Sequence, residues 1–287
     1  MQGIVIVNKE SGWTSFDVVN KLKHIYNTKK VGHLGTLDPM AEGVLPVAVG
    51  RATKLFDYYL NKTKTYIANI KFGVLTDSLD ATGAVIKTED INITEAEFKK
   101  ALNSFVGKIS QVPPRVSAKK INGRRAYDLA RNNIEFEIKP KDVTIYEIEY
   151  ISKVADNEYQ FKVVCEAGTY IRSLCRDIGE KLNTIATMTK LVRTKAGEFS
   201  IENAHTISEI ESNKEAFLLP LEKVLNNEQK LVLSVDNLPA LINGRKLVVN
   251  EPDSKLVTVY CGDILFGLGN ILNKNLKILV RLYEGEN

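Results

Sequence analysis

Cysteine, histidine and long apolar runs are all scarce in this chain. Its 287 residues include three cysteines, with no Cys-x-x-Cys pair, and only three histidines. The sequence therefore has neither a disulfide framework nor a zinc-ligand spacing, and we expect no structural metal. No run approaches the ~20 apolar residues of a membrane span, and Met1 to Val5 lack the basic start and cleavage site of a secretory signal. These absences predict a globular cytoplasmic protein.

A strong net charge is also missing, because 39 Lys and Arg oppose 35 Asp and Glu for a net charge of +4. That balance is too weak to indicate a nucleic-acid partner by itself. The distribution is more informative, because residues 108–125 contain no acidic residue and include two prolines and a glycine that favour protrusion. The cations of this stretch are Lys108, Arg115, Lys119, Lys120, Arg124 and Arg125. A solvated loop is the simpler interpretation, and a clamp on phosphates is the one that we favour.

A single carboxylate, Asp38, lies in a glycine-punctuated loop. The stretch reads Gly32-His33-Leu34-Gly35-Thr36-Leu37-Asp38-Pro39-Met40-Ala41-Glu42-Gly43-Val44-Leu45. The glycines permit backbone turns and the proline stiffens the residue after the carboxylate, so such a loop can hold one acid rigidly. On spacing alone, an ordinary Asp-Pro turn is the favoured interpretation.

Apolar spacing predicts both strands and helices. The predicted strands have continuous or alternating apolar residues and cover residues 3–7, 65–72, 142–151, 158–166, 230–235, 256–260, 264–268 and 276–283. The predicted helices begin at Ser15 as N-cap, after a capping box of Thr94 and Glu97, and near Tyr170. The first helix is expected to bury Phe16, Val19, Leu22 and Tyr26.

Arg172 would stand in the first turn of the third helix, away from its apolar stripe. A cation at this end opposes the helix dipole at a cost of roughly 0.3–1 kcal/mol. A carboxylate partner would remove that cost, and we expect Asp38 to be the partner.

The loop around Asp38 resembles the motif Gly-His-x-Gly-x-Leu-Asp-Pro-x-Ala-x-Gly-x-Leu of the bacterial tRNA pseudouridine synthase B family. Further segments similar to that family follow in the expected order: Asn8 to Ser15, Lys64-Thr65-Tyr66, Gln111 to Lys119, Gly123 to Tyr127, Gly168 to Ser173 and Leu191 to Thr194. Three positions depart from the family pattern, namely Glu10 for a proline, Val116 for a tyrosine and Val192 for an arginine.

The resemblance implies an α+β pseudouridine synthase fold, with a mixed, mainly antiparallel central sheet flanked by helices and loops. It implies a catalytic domain over 1–225, with an RNA-gripping insertion near 108–131, and a β-barrel-like (PUA-like) RNA-binding domain over 226–287. The implied activity isomerises uridine to pseudouridine in the T loop of tRNA, at position 55, without a cofactor. The implied substrate partner is the T arm of tRNA, and we expect a monomer.

The resemblance also assigns roles to individual residues. Asp38 would be the nucleophile, Arg172 would keep it ionised, and Tyr66 would stack on the target base and act in proton transfer at C5. His33 would wedge into the T loop. The remaining substrate-binding candidates are Lys9, which could instead support the loop, Lys64, Leu191 and, in the insertion, Arg115, Lys119, Lys120, Arg124 and Arg125. From periodicity alone, Tyr66 is an ordinary core tyrosine.

Two other functions stay open at this point. An N-glycosidase acting on RNA would also use an Asp at ribose C1′, but it would need a second carboxylate about 5–5.5 Å away, for which Glu42 is the candidate nearby in sequence. An inactive RNA-binding protein would need only the basic segment and the C-terminal domain. The joint presence of Asp38, Tyr66 and Arg172 favours the enzyme.

Overall fold

The computed structural model describes residues 1–117, 120–121, 123–125, 129, 132, 134, 136–226 and 228–285. The α-helices of this part of the chain are α1 (Ser15–Ile25), α2 (Phe56–Leu60), α3 (Glu95–Asn103), α4 (Ile171–Lys181), α5 (Ile207–Ser212), α6 (Leu221–Val224) and α7 (Leu238–Ile242). Short 3₁₀ helices cover Gly50–Leu55, Ile201–Asn203 and Val235–Asn237. None of the described helices is long and apolar enough to cross a membrane.

The strands fall into a central sheet, a C-terminal sheet and two hairpins. The central sheet contains β1 (Gly3–Lys9), β2 (Val31–His33), β3 (Glu42–Val49), β4 (Lys64–Phe72), β7 (Gly107–Gln111), β10 (Lys141–Ala155), β11 (Glu158–Cys165), β12 (Ala186–Ala196) and β13 (Phe199–Ser200). The hairpins pair β5 (Val74–Thr76) with β6 (Val85–Thr88), and β8 (Lys120–Ile121) with β9 (Arg124–Arg125). The C-terminal sheet contains β14 (Lys230–Leu233), β15 (Leu247–Val248), β16 (Ser254–Cys261), β17 (Ile264–Leu272) and β18 (Asn275–Arg281).

The central sheet has the order β1-β3-β12-β4-β11-β10-β7, with β2 and β13 paired beside it. Its neighbours are antiparallel except for β3 and β12, which run parallel. This confirms the predicted α+β fold with a mixed, mainly antiparallel sheet. The register places Tyr66 opposite Val163 on one side and Arg193 on the other. Tyr66 and Arg193 are therefore neighbours in the middle of the sheet.

Both faces of the central sheet are covered, because successive residues of β1 enter different cores. Val5 and Val7 pack with α1, α3 and α4 on one face, whereas Ile4 and Ile6 pack with residues from the C-terminal sheet, such as Leu268, on the other. Burial on both faces explains why β1 is a continuous apolar run rather than an alternating one.

The C-terminal sheet has the order β14-β16-β17-β18-β15 and its own apolar core around Phe266. Its four longer strands confirm the strands predicted after residue 226, with ends that differ by a few residues. The additional strand β15 has only two residues, too few for a recognisable apolar pattern. The proposed division of the chain at 225/226 stays a prediction.

The start of α1 differs from the prediction. Thr14, not Ser15, is the N-cap, because its side chain accepts from the Asp17 amide while Asp17 caps the Thr14 amide in return. Of the four residues expected in the core, Val19, Leu22 and Tyr26 are buried, whereas Phe16 is 63% exposed. The capping box of Thr94 and Glu97 at the start of α3 is confirmed.

Candidate active site

The loop between β2 and β3 holds Asp38, and a serine of α1 fixes the residue before it. The Ser15 hydroxyl accepts from the Leu37 amide at 2.9 Å and donates to the Leu37 carbonyl at 3.0 Å. The Ala41 amide donates to the Asp38 carbonyl at 3.1 Å, which closes a turn around Pro39. Both backbone groups of Leu37 are thus bonded to a buried side chain, and the Asp38 backbone has a defined position.

Lys9 fastens the same loop from the end of β1. Its amino group donates to the carbonyls of Trp13 at 2.7 Å, Glu10 at 2.9 Å and Pro39 at 3.1 Å. The residue is 1% exposed, and burial lowers the pKa of Lys9 to about 8. This geometry supports the role of Lys9 in holding the loop. Contact between Lys9 and the substrate stays a prediction, which the burial disfavours.

Arg193 is a third support of the loop, and the sequence analysis assigned it no role. It is 1% exposed and donates to the loop carbonyls of Gly35 at 3.1 Å and Thr36 at 3.2 Å and to the Val44 carbonyl of β3 at 2.7 Å. Its place in β12, inside the family-like stretch Leu191 to Thr194, was the signal available in the sequence. An arginine there needs several acceptors, since a buried cation is tolerated only when its donors are satisfied.

The ion pair predicted between Arg172 and Asp38 is present. The Arg172 Nε atom lies 2.9 Å from Asp38 Oδ2. The arginine side chain is 5% exposed, whereas the Asp38 side chain is 35% exposed. The carboxylate therefore has a cation behind it and open space in front of it, which is the arrangement that a nucleophile requires.

Asp80 is a second carboxylate on Arg172, and the sequence analysis did not identify it. Its Oδ2 lies 3.4 Å from Arg172 Nη1, and the same nitrogen donates to the Ser78 carbonyl at 3.0 Å. Asp80 is 4% exposed, and its Oδ1 accepts from the Ser78 hydroxyl at 2.7 Å and the Thr82 amide at 3.0 Å. Arg172 is thus held between a fixed buried carboxylate and an accessible one.

The surroundings of Asp38 act on its charge in both directions. Removal of water raises the pKa of Asp38, and the charge of Asp80 raises it further. The cations Arg172 and Lys9 oppose that rise and favour the ionised carboxylate. The pKa of Asp38 therefore depends on three charged neighbours, Arg172, Asp80 and Lys9, each of which can be replaced separately.

Replacing Asp80 is expected to change the pH dependence of any reaction that needs ionised Asp38. In Asp80→Asn the repulsion from the second carboxylate is gone while Arg172 stays charged, so the pKa of Asp38 falls and the acid limb of log kcat moves to lower pH. At pH 7 kcat should fall by about tenfold, because Arg172 loses one of its anchors. A pH–rate profile measures both effects, and an acid limb that moves to higher pH would contradict this assignment.

Tyr66 and Leu191 lie beside the loop, largely buried. Tyr66 is 9% exposed and Leu191 is 5% exposed, and both belong to the core on the helix-covered face of the sheet. Burial raises the pKa of Tyr66, while the Arg193 guanidinium opposes the rise. The predicted inward face of β4 is confirmed, since Tyr66, Ala68 and Ile70 are all buried.

His33 ends β2 at the entrance to the loop and pairs with Val47 of β3. Burial and the nearby Arg193 charge lower the pKa of His33, so the neutral imidazole is favoured. Its Nδ1 atom is buried and has no hydrogen-bond partner among the described residues. A neutral ring carries no charge that would attract a phosphate.

Lys64 is buried rather than available at the surface. It is 6% exposed and donates to the carbonyls of Lys62 at 2.5 Å and Tyr59 at 3.2 Å, at the end of α2. Burial lowers the pKa of Lys64 to about 8. Its position fits support of the chain before β4, and substrate contact stays a prediction.

The basic insertion is described only in part. The exposed Arg115 places its guanidinium carbon 5.0 Å from the centre of the ring of Phe136, which follows the insertion in the chain. Backbone pairing places Lys120 opposite Arg125 and Ile121 opposite Arg124 in the hairpin β8–β9. Lys119 lies outside the described residues. The role of these cations in RNA binding stays a prediction.

The described residues include no group of three or more His, Cys, Asp or Glu side chains placed to hold a metal ion. Glu42, the carboxylate considered from its place in the sequence, begins β3 opposite Val192. The carboxylate that shares Arg172 with Asp38 is Asp80.

Comparisons with known proteins find relatives along the whole chain. A family model described as TruB family pseudouridylate synthase (N terminal domain) matches residues 23–171, and one described as tRNA pseudouridylate synthase B C-terminal domain matches residues 172–226. A protein of Clostridium tetani named tRNA pseudouridine synthase B is 44% identical over 97% of this chain and 99% of its own length. A protein of the same name from Alkaliphilus oremlandii is 38% identical over the full length of both chains.

Among solved structures, a chain in the crystal structure of a Cbf5-Nop10-Gar1 complex matches with a TM-score of 0.73 and 27% identity. The match covers 98% of this chain and 84% of that one. It confirms that the fold is shared along nearly the whole chain, including the C-terminal sheet.

Proposed function

This chain belongs to the TruB family of pseudouridylate synthases and is an isomerase that converts uridine in tRNA to pseudouridine, and we propose that it acts on the T-loop uridine with Asp38 as nucleophile. The observation that carries this assignment is the ion pair between Arg172 and the accessible Asp38 at 2.9 Å. A carboxylate that is rigidly held, partly open and paired with a buried cation is suited to covalent attack.

The reaction moves one glycosidic bond and adds nothing to the substrate. The bond between ribose C1′ and base N1 breaks, the base turns, and a bond forms between C1′ and C5. The C5 proton leaves to solvent and N1 gains a proton, so atoms and charge balance without a redox cofactor. Attack at C1′ and attack at base C6 both need the ionised carboxylate that Arg172 and Lys9 favour.

The target uridine must leave the folded T arm before Asp38 can reach it. Extrusion costs a few kcal/mol, and stacking on an aromatic side chain returns roughly 1–3 kcal/mol. In this proposal Tyr66 receives the base beside Leu191, and His33 enters the space that the base leaves. The cations of the insertion bind phosphates, and the C-terminal domain (residues 226–287) adds a second RNA contact. Since tRNA is the substrate, the proposed location is cytoplasmic.

Two substitutions at Tyr66 separate stacking from proton transfer. Tyr66→Leu removes the ring and should weaken transition-state stabilisation by roughly 1–3 kcal/mol, a 5- to 150-fold loss in kcat/KM. Tyr66→Phe keeps the ring, so a loss at least as large in this variant assigns proton transfer to the hydroxyl. Single-turnover kinetics on a T-arm RNA measure both. Equal, near wild-type rates in the two variants would remove Tyr66 from the reaction.

The N-glycosidase alternative requires a second carboxylate that is free to protonate the departing base. Asp80 shares Arg172 with Asp38, but both of its oxygens are engaged by Arg172, Ser78 and Thr82, and it is 4% exposed. Total hydrolysis of reacted tRNA decides between the two reactions. The proposal predicts one pseudouridine gained for each uridine lost and no free uracil, whereas release of uracil would overturn it in favour of the glycosidase.

A further inference from the structure

Gln111 connects the base of the basic insertion to the helix that carries Arg172. It is the last residue of β7, at the edge of the central sheet, and it is 1% exposed. Its side-chain oxygen accepts from the Tyr170 amide at 2.8 Å. Only the oxygen of a glutamine side chain can accept this bond, so the orientation of the amide is fixed by its partner.

The next residue is bonded to the same helix twice. The Val112 carbonyl accepts from the Ser173 hydroxyl at 2.8 Å and from Arg176 Nη2 at 3.1 Å. Residues 111–112 thus contact α4 at its N-cap and in its first two turns. Pro113 and Pro114, both buried, continue the chain from there into the insertion.

Tyr170 is the residue immediately before the first turn of α4. It is the N-cap, with φ −99° and ψ 110°, and its own side chain makes no capping hydrogen bond to the helix. Arg172 follows two residues later, in the first turn, and lies 2.9 Å from Asp38. A displacement of this turn would move the guanidinium relative to the carboxylate, and catalytic groups tolerate little displacement.

We propose that Gln111 is a positioning residue that, through the Tyr170 amide, holds Arg172 in register with Asp38. The inference rests on the proposed function of Asp38. The end of β7, at the start of the RNA-gripping insertion, is in this way hydrogen-bonded to the helix that carries Arg172. The edge strand β7 thus determines the position of the catalytic cation.

The other end of the Gln111 side chain indicates that the residue does not serve stability alone. Its Nε2 atom is buried and has no hydrogen-bond partner among the described residues. An unsatisfied buried donor destabilises a fold. Gln111→Met removes this donor but leaves the Tyr170 amide without its acceptor, so the two effects oppose each other and the unfolding temperature should change little. Gln111→Met can therefore lose positioning without losing the fold.

The test compares Gln111→Met with wild type on a T-arm RNA. We expect kcat to fall about 10- to 100-fold, the Kd for RNA to stay within about threefold, and the unfolding temperature to change by no more than about 4 °C. The acid limb of the pH profile should also move to higher pH. The groups that affect the pKa of Asp38 are Arg172, Asp80 and Lys9, and Tyr66 and Tyr170 lie near by. Of these groups, a shift of α4 would move Arg172 and Tyr170.

Two further variants separate positioning from packing. Gln111→Glu keeps an acceptor oxygen for the Tyr170 amide and should recover most of the lost kcat. Gln160→Met is the matched control, because Gln160 is also a glutamine of the central sheet with one side-chain hydrogen bond, to Asn69 at 3.0 Å. It should leave kcat and the acid limb unchanged.

The inference is overturned if Gln111→Met keeps wild-type kcat and pH profile, or if it loses activity only in proportion to lost folded protein. If wild type itself forms no pseudouridine, the proposed function fails, whatever Gln111 does. If wild type is active and Gln111→Met is equally active, only the role of Gln111 fails.

Discussion

Asp38→Asn is expected to lower kcat on the T-loop uridine by at least ~10⁴-fold, because a neutral amide does not attack covalently. The Kd for tRNA should change by less than about threefold. The variant has nearly the same shape, and the loop backbone does not depend on the carboxylate, since Lys9, Ser15 and Arg193 hold it through carbonyl and amide groups. Rapid-quench kinetics and filter binding on the same RNA measure the two quantities.

The matched control is Asp57→Asn, which removes an exposed carboxylate of α2 and should leave both quantities unchanged. Turnover by Asp38→Asn within about tenfold of wild type would show that another group attacks. A loss of tRNA affinity of more than about 30-fold would instead make Asp38 a binding residue.

Arg172→Met is expected to be the most destabilising single change at the site. It leaves Asp80 in the interior without its cation, and breaking a buried ion pair in this way costs on the order of 3–5 kcal/mol. We expect the lower end, about 3 kcal/mol, because Asp38 is 35% exposed and can be hydrated, and because Asp80 keeps its bonds to Ser78 and Thr82. Urea unfolding gives the change in the free energy of unfolding.

A double-mutant cycle tests whether Asp80 is the source of that loss. Adding Asp80→Asn to Arg172→Met removes the uncompensated carboxylate, so the double variant should be more stable than Arg172→Met alone, by more than about 1 kcal/mol. It should stay inactive, since Asp38 still lacks its cation. Additive losses of stability would mean that the 3.4 Å contact between Arg172 and Asp80 contributes nothing.

The contacts that could be predicted from the sequence are those with a local signal. Arg172 is a cation at the start of a helix, which called for a carboxylate partner, and the pair with Asp38 is present. Tyr66 shares its side of β4 with apolar residues, and the strand buries that side. Thr94 and Glu97 have the spacing of a capping box, which needs no tertiary contact to form.

The contacts that could not be predicted depend on distant segments. Asp80 stands in a polar turn and acquires its role from an arginine 92 positions later in the numbering. Arg193 bonds to carbonyls of the loop and of β3 about 150 residues away in the chain. Phe16 fits the apolar stripe of α1 by spacing, but the N-cap lies at Thr14 and the helix places Phe16 outward. Periodicity gives the relative positions of residues around a helix, and the tertiary packing decides which of them at the margin of the stripe is buried.

The surroundings of two lysines could not be predicted from the sequence either. Lys9 and Lys64 are substrate-binding candidates in the sequence, Lys9 as a phosphate contact or a support of the loop, and Lys64 through the resemblance of Lys64-Thr65-Tyr66 to the family motif. Both amino groups are instead enclosed by backbone carbonyls, an arrangement that only the folded chain creates.

Tritium release from a tRNA transcript carrying 5-tritiated uridine, with wild-type protein, a chelator and no cofactor, tests the proposed isomerisation by Asp38. One tritium should be released per tRNA, and release should be lost when the T-loop target is changed from uridine to cytidine and again with Asp38→Asn. Tight, salt-sensitive tRNA binding without tritium release would contradict the proposed isomerisation.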